Sequence, residues 1–381
     1  MTRTITPPLS LYVHVPWCLR KCPYCDFNSH EAKGALPEAA FVERALEDLD
    51  LERAGAQGRT IGTLFFGGGT PSLLDPSTVG ALIDGIAARV GLDAHAEITL
   101  EANPGTAEAA RFAGYRSAGV NRLSLGIQSF SDRALAALGR IHDGQDARRA
   151  VELARRAGFE RVNLDLMHGL PGQTPADSLA DLDTALSLTP EHLSWYQLTI
   201  EANTHFHSRP PQLPLEDVLE RIETEGAARI ADAGLVRYEV SAWARPGGEC
   251  RHNLNYWTFG DYLGIGPGAH GKCSAVDATG GLTIERTRRT RAPADWLQRP
   301  ARRIAERVPE ASLGGEFMLN ALRLIEGVDE ATFEARTGRP LAHLEPMLSA
   351  QRSEGLLRAD RLATTALGLR FLDRVTGAFL A

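Results

Sequence analysis

Leu9-Ser-Leu-Tyr12-Val-His14-Val15-Pro-Trp-Cys18-Leu-Arg-Lys-Cys22-Pro-Tyr-Cys25 runs a short apolar, β-branched segment straight into three cysteines spaced C-x3-C-x2-C. A strand that feeds a thiol-rich loop places that loop at the strand's C-terminal end, where parallel βα architectures keep their chemistry. Downstream the pattern repeats. Strands are expected at 9–15, 63–66, 96–102, 122–128, 161–167 and 192–200, alternating with amphipathic helices at 38–54, 78–90, 107–117, 146–156, 177–188 and 216–233. Gly91, Gly119, Gly158 and Gly234 follow four of these helices as C-terminal stops. Six βα units predict an α/β fold, a partial (β/α)6 TIM-type barrel over residues 1–240. The Gly- and aromatic-rich stretch 241–289 reads as an irregular cover segment. From 290 to 381 the alternation fades, and helices at 317–325, 341–354 and 365–375 predict a small, mainly helical C-terminal domain.

The 381 residues suggest two or three domains at about 150 residues each. Lys plus Arg total 41 against 48 Asp plus Glu, so the net charge of −7 offers no global attraction to nucleic acid, and none is expected as a partner. No apolar run approaches the ~18 residues of a membrane span. Residues 1–10 lack a basic n-region and an apolar h-region, which predicts a cytoplasmic chain. In a reducing compartment, three of five cysteines within eight residues mark a metal site rather than disulfides.

Three thiolates on one short loop can hold three irons of a cubane and leave the fourth without a protein ligand. That open iron can be chelated by the amino and carboxylate groups of S-adenosylmethionine, whose sulfonium can then be cleaved reductively. A structural zinc site would need a fourth ligand such as His14, Asp26 or His30. Plain buried thiols are the other alternative. The further polar residues at strand ends favour the cluster. Gly67-Gly68-Gly69-Thr70-Pro71 closes the second strand and lets backbone approach a ligand. Glu101, Gln128 and Asp165 lie on the next three strands, and Arg140 can clamp a carboxylate.

With these residues in view, the chain resembles the radical SAM family of oxygen-independent coproporphyrinogen III oxidases and their relatives. The likeness rests on the triad after Tyr12, on Gly67–Pro71, Glu101, Gln128 and Arg140, and on Asn163-Leu-Asp165-Leu-Met-His168-Gly-Leu-Pro-Gly172. It implies a [4Fe-4S] cluster on Cys18, Cys22 and Cys25, with S-adenosylmethionine contacts from Tyr12, Gly68, Gly69, Thr70, Glu101, Gln128, Arg140 and Asp165. The true oxidases typically carry a fourth cysteine two residues after the triad, whereas this chain has Phe27, which can neither ligate nor donate. Cys250-Arg-His252-Asn-Leu-Asn-Tyr256-Trp257 and Asp261–Gly271 resemble instead the heme-chaperone branch, which is not thought to decarboxylate coproporphyrinogen.

That branch implies heme binding and transfer to acceptor apoproteins such as respiratory cytochromes. The resemblance leaves room for a homodimer and for peripheral contact with the inner membrane. His252 is the heme-ligand candidate, since a neutral imidazole beside Tyr256 and Trp257 suits iron and porphyrin. A hydrogen-bonded structural histidine is the alternative. Cys250 could also ligate, although free cysteines are usually buried. The arginines of residues 285–307 read as a solvated linker face, with heme propionates, an acidic partner or an anionic membrane as functional alternatives.

Overall fold

The computed structural model describes residues 7–105, 109–276, 281–299 and 301–380. Six parallel strands form its centre: β1 (Leu9–Val15), β2 (Ile61–Gly68), β3 (Leu92–Ala102), β4 (Arg122–Gln128), β5 (Val162–His168) and β6 (His192–Gln197), paired in that order. Helices cover the strands, so both faces are buried and the strands read as near-continuous apolar runs such as Leu-Ser-Leu-Tyr-Val-His-Val in β1. The helix starts are local. Asp143 and Thr174 each make a reciprocal capping box, and Asp75 caps a helix whose first residue is Pro76. The four expected glycine stops all have positive φ. The helix expected over 107–117 is seen as Phe112–Ser117, while Ala107 and Glu108's neighbourhood at 106–108 lies outside the described residues.

Two findings correct the expected pattern. The stretch 241–289 is regular rather than an irregular cover. It supplies β8 (Ala242–Ala244), the helix Arg251–Trp257, β9 (Asp261–Ile265), β10 (His270–Val276) and β11 (Leu282–Arg288). β9 is a seventh parallel strand, lying against β1 in register Leu9↔Asp261 to Val13↔Ile265. Its signal is masked by Gly264, where a Cβ would run into the carbonyl of His270 on the next strand. The second correction concerns the edges. β12 (Ile304–Arg307) extends β9–β10–β11 antiparallel, and β8 with β7 (Val236–Glu239) extends the β6 side. The sheet of the described residues has the order β12-β11-β10-β9-β1-β2-β3-β4-β5-β6-β8-β7, an open, barrel-like array whose two ends do not pair.

The arginines of 285–307 are a solvated face only in part: Arg288, Arg291, Arg299, Arg302 and Arg307 are exposed, whereas three others pair within the fold. Arg289 is buried against Asp48 and Glu52, Arg303 reaches Glu52 and Glu285, and Arg286 pairs with Glu316. Beyond them a second apolar core, including Phe259, Phe317 and Phe333, organises the C-terminal helices. The helix expected over 341–354 is divided at Pro346, which lacks the N–H a continuous helix needs, into Leu341–Leu344 and Met347–Ser353.

Candidate functional site

β1 ends at Val15, and the chain passes through Trp17–Cys18, which pairs with His30–Glu31 to close the cysteine loop. Cys18, Cys22 and Cys25 are free and half-buried. Each sulfur has polar neighbours: Thr70 Oγ1 donates to Cys18 Sγ at 3.5 Å, Arg140 Nη1 to Cys22 Sγ at 3.6 Å with Tyr24 also bonding that sulfur, and Ser29 Oγ lies 3.5 Å from Cys25 Sγ. Burial raises the Cys18 pKa and the Thr70 hydroxyl offsets part of that rise. A bound metal would complete the ionisation, since a coordinating thiol is deprotonated outright.

The glycine run is shaped to this loop. Gly69 and Thr70 donate their N–H groups to the carbonyls of Val15 and Trp17, both at 2.7 Å. A Cβ on Gly68, whose φ is +115°, would lie 2.6 Å from the His14 ring, and one on Gly69 would lie 2.6 Å from the Trp17 carbonyl oxygen. Only glycine brings β2's end this close to the cysteines.

A cavity of about 500 Å³ opens over the loop. All three cysteines line it, together with Gly68, Gly69, Thr70, Glu101, Gln128, Arg140 and Asp165. Glu101 Oε2 accepts the Gly68 N–H at 3.2 Å, and burial, with Asp165 adding to it, pushes its carboxyl up to about 8. Asp165 accepts from Ser124 Oγ at 3.0 Å and Asn163 Nδ2 at 2.8 Å, while burial raises its pKa. Arg140 donates to Asn103 Oδ1 at 2.5 Å and the Gly126 carbonyl at 2.8 Å, and Gln128 accepts from Tyr196 Oη at 2.9 Å. Buried acids facing a fixed guanidinium can balance a sulfonium's charge and hold the carboxylate of one ligand.

This donor set fits a cluster with an open iron. Both ring nitrogens of His14 are occupied, by Tyr12 Oη at 3.2 Å and the Asn28 carbonyl at 2.9 Å, so it is not free to be a fourth ligand. Among the described residues no three His, Cys, Asp or Glu side chains converge on a single-ion position. A cubane asks for less, because each thiolate binds a different iron.

Tyr12 stands beside these residues, sharing Glu101 with the cluster cavity through the spaces next to it. It does not line the cluster cavity but forms part of the wall between two neighbouring spaces. Arg323 and Trp257 do line the cavity, although nothing in the sequence singled out Arg323. Arg323 stands 4.5 Å over the Trp257 ring and donates to Glu239 at 3.1 Å, so the C-terminal domain completes the site across about 80 residues of chain.

His252 lies inside the molecule, 2% exposed. Its Nδ1 is 2.8 Å from Thr63 Oγ1, its ring packs 5.0 Å from those of Phe65 and Tyr256, and burial holds its pKa down to about 3. Its Nε2 has no partner among the described residues, and His252 lines a space of about 230 Å³ that shares Glu101, Ser124 and Asp165 with the cluster cavity. That space is below the roughly 300–1,000 Å³ of pockets for drug-sized ligands, and heme is larger than most of these. The expected iron ligand thus stands at a small space that adjoins the cluster cavity, with one ring nitrogen unpartnered among the described residues. Cys250 is also buried, 3.7 Å from Glu97, with its thiol pushed up to about 11.

Comparison with known proteins gives a consistent result. The Radical SAM superfamily profile matches residues 12–185 and the HemN C-terminal domain profile matches 310–371. Heme chaperone HemW of Escherichia coli K12 is 50% identical over 377 residues, covering 98% of this chain and 99% of its own. The Haemophilus influenzae protein of that name is 46% identical over 380 residues, covering 98% of each. The Mycobacterium tuberculosis H37Rv protein is 36% identical, covering 98% and 95%. Among solved structures, coproporphyrinogen III oxidase (HemN) from Escherichia coli superimposes with a TM-score of 0.81 over 99% of this chain and 91% of its own. At 22% identity that likeness concerns the fold.

Proposed function

The chain belongs to the HemW family of radical SAM proteins, and on that premise we propose that it binds heme and passes it to an acceptor apoprotein. The observation that carries this reading is 50% identity to a heme chaperone along nearly the whole of both chains. A radical SAM family member implies a [4Fe-4S] cluster and S-adenosylmethionine. In our reading Cys18, Cys22 and Cys25 hold the cluster, and its open iron supplies one-electron chemistry to a bound sulfonium. Gly68, Gly69 and Thr70 present backbone to the ligand's amino group. Glu101 and Asp165 balance its positive charge, Arg140 takes its carboxylate, and Gln128 borders the same space. Tyr12 acts behind them by fixing the His14 ring.

The heme reading is tested with the anaerobically reconstituted protein, loaded with hemin and mixed with a b-type apocytochrome. Absorbance should show heme leaving this chain for the acceptor, and the same sample given coproporphyrinogen III, S-adenosylmethionine and a reductant should form no protoporphyrinogen. Porphyrin product would favour the oxidase reading. Among the described residues no helix is long and apolar enough to cross a membrane. Delivery to a membrane-bound acceptor would therefore use a surface contact.

Glu101 gives this site a pH signature. With its pKa raised to about 8, the carboxyl is mostly protonated at pH 7 in the ligand-free protein. A sulfonium or ammonium favours the carboxylate, so binding releases a proton below that value. Affinity for S-adenosylmethionine should fall by about tenfold per pH unit as the pH drops below about 8, and level off above it. Calorimetry on Glu101→Gln should give weaker, pH-independent binding. A wild-type profile flat between pH 6 and 8 would refute the assignment.

A further inference from the structure

We propose that the end of the sheet remote from the cysteine loop carries an oxyanion site, in which Arg116, Arg161 and Arg251 take a phosphate dianion, free or as the end group of a soluble phosphate ester.

The site lies where the parallel strands begin, whereas the cluster cavity lies where they end. Its pocket, of about 210 Å³, is framed by residues 95–97 at the start of β3, by the segment that leads into β5, and by Arg116 and Arg251. It shares no lining residue with the cavity over the cysteines or with the space beside His252. The pocket is smaller than those of drug-sized ligands and of a size for a small ion with its water.

Each of the three guanidinium groups is aimed by a bond to main chain. Arg116 Nε donates to the Gly158 carbonyl at 3.3 Å, Arg251 Nη1 to that of His95 at 2.8 Å, and Arg161 Nη2 to that of Glu249 at 2.8 Å. Arg161 also pairs at 2.8 Å with the buried carboxylate of Glu97, to which the main-chain N–H groups of Arg251 and His252 donate at 3.3 and 3.1 Å. The Arg161 fork is therefore held before a ligand arrives, and little affinity is lost in ordering it.

The donors left over are what points to a ligand. Arg161 Nε is buried and has no hydrogen-bond partner among the described residues, and an ionised donor left that way is costly. Arg116 and Arg251 are exposed, and neither has an acidic partner among the described residues. Against the three cations stand Glu97, already engaged, and the exposed Glu160. The pocket is thus locally positive in a chain whose net charge is −7. Guanidinium forks from three segments suit phosphate, whose oxygens point in several directions. A carboxylate, with two oxygens in one plane, would use fewer of these donors.

The test is calorimetric titration of the full-length, anaerobically reconstituted chain with inorganic phosphate at low ionic strength and about pH 8, where phosphate is a dianion. Acetate and glycerol 3-phosphate are titrated in parallel. Wild type should bind one phosphate with a dissociation constant below about 1 mM, and acetate at least about tenfold more weakly. Tighter binding of glycerol 3-phosphate than of phosphate would assign the site to an ester, and the reverse to the free ion. Arg116→Gln and Arg251→Gln should each weaken phosphate binding by about tenfold. Phosphate should also raise the thermal midpoint of wild type but not of the double variant. Both side chains are exposed, so an unchanged midpoint without phosphate verifies the fold of the variants. No phosphate bound by wild type at about 10 mM would overturn the site. Undiminished binding by the double variant, or acetate bound as tightly as phosphate, would do the same. None of these outcomes touches the heme-chaperone reading, because the pocket shares no residue with the cluster cavity or the space beside His252.

Discussion

Cys22→Ala, reconstituted anaerobically with iron and sulfide, should come back with almost no bound iron, against about four irons per wild-type chain. The broad visible absorption of the cluster should vanish with it. Cys22 is the informative choice because its sulfur faces Arg140 at 3.6 Å and shares the 500 Å³ cavity with the other two thiols. Two thiolates cannot hold three irons, and His14 is tied at both ring nitrogens and so cannot stand in for the third. S-adenosylmethionine binding should weaken in parallel, because the iron that would chelate it is gone. Full iron occupancy in Cys22→Ala would exclude the three-cysteine site. Heme transfer measured on the same variant then decides whether the cluster governs heme handling. If transfer is unchanged, the cluster is not a switch for it.

Asp261→Ala should be the most damaging single change to stability, at about 3–5 kcal/mol. Asp261 is fully buried at the start of β9. It accepts from Lys272 Nζ at 3.1 Å, Arg59 Nη1 at 2.8 Å, and both the N–H and hydroxyl of Ser274 at 3.0 and 2.8 Å. Lys272 is itself 2% exposed and packs 4.2 Å over the Phe259 ring, so removing the carboxylate strands an ammonium between the two cores. Burial already lowers the Lys272 pKa, with Asp261 opposing that shift. Thermal or urea unfolding of Asp261→Ala should show the loss. Asp261→Leu combined with Lys272→Met should recover only the part due to the stranded ammonium, because Arg59 and the Ser274 N–H and hydroxyl still lack their acceptor. A loss below about 1 kcal/mol for Asp261→Ala would mean that water reaches this pair. Because β9 lies in register with β1, the variant should also bind its cluster less well.

The strands and caps of the parallel sheet were legible because their causes are local. Asp143 and Asp146 lie one helical turn apart, Thr174 precedes Pro175, and a buried parallel strand needs only a run of apolar residues. Cys18, Cys22, Cys25 and the Gly68–Thr70 turn were legible for the same reason. Each sits where a strand ends, and all parallel strands end on one side of the sheet. The seventh strand was not legible, because Gly264 answers to a carbonyl six residues away rather than to strand propensity. Nor did composition show that Arg289 and Arg303 meet Glu52, since such a pairing exists only once the hairpin folds back on the first helix.

The sequence by itself determined the chemistry of this protein, three thiolates and a glycine turn spaced for an iron–sulfur site, since spacing along a short loop survives in any fold that keeps the strand. Tertiary structure alone decided which distant groups meet. Helix packing sets His252 against Phe65, and the C-terminal domain brings Arg323 to Glu239 at the cluster cavity. Neither meeting is fixed by local spacing, because each joins residues far apart in the chain that come together only when separate elements pack.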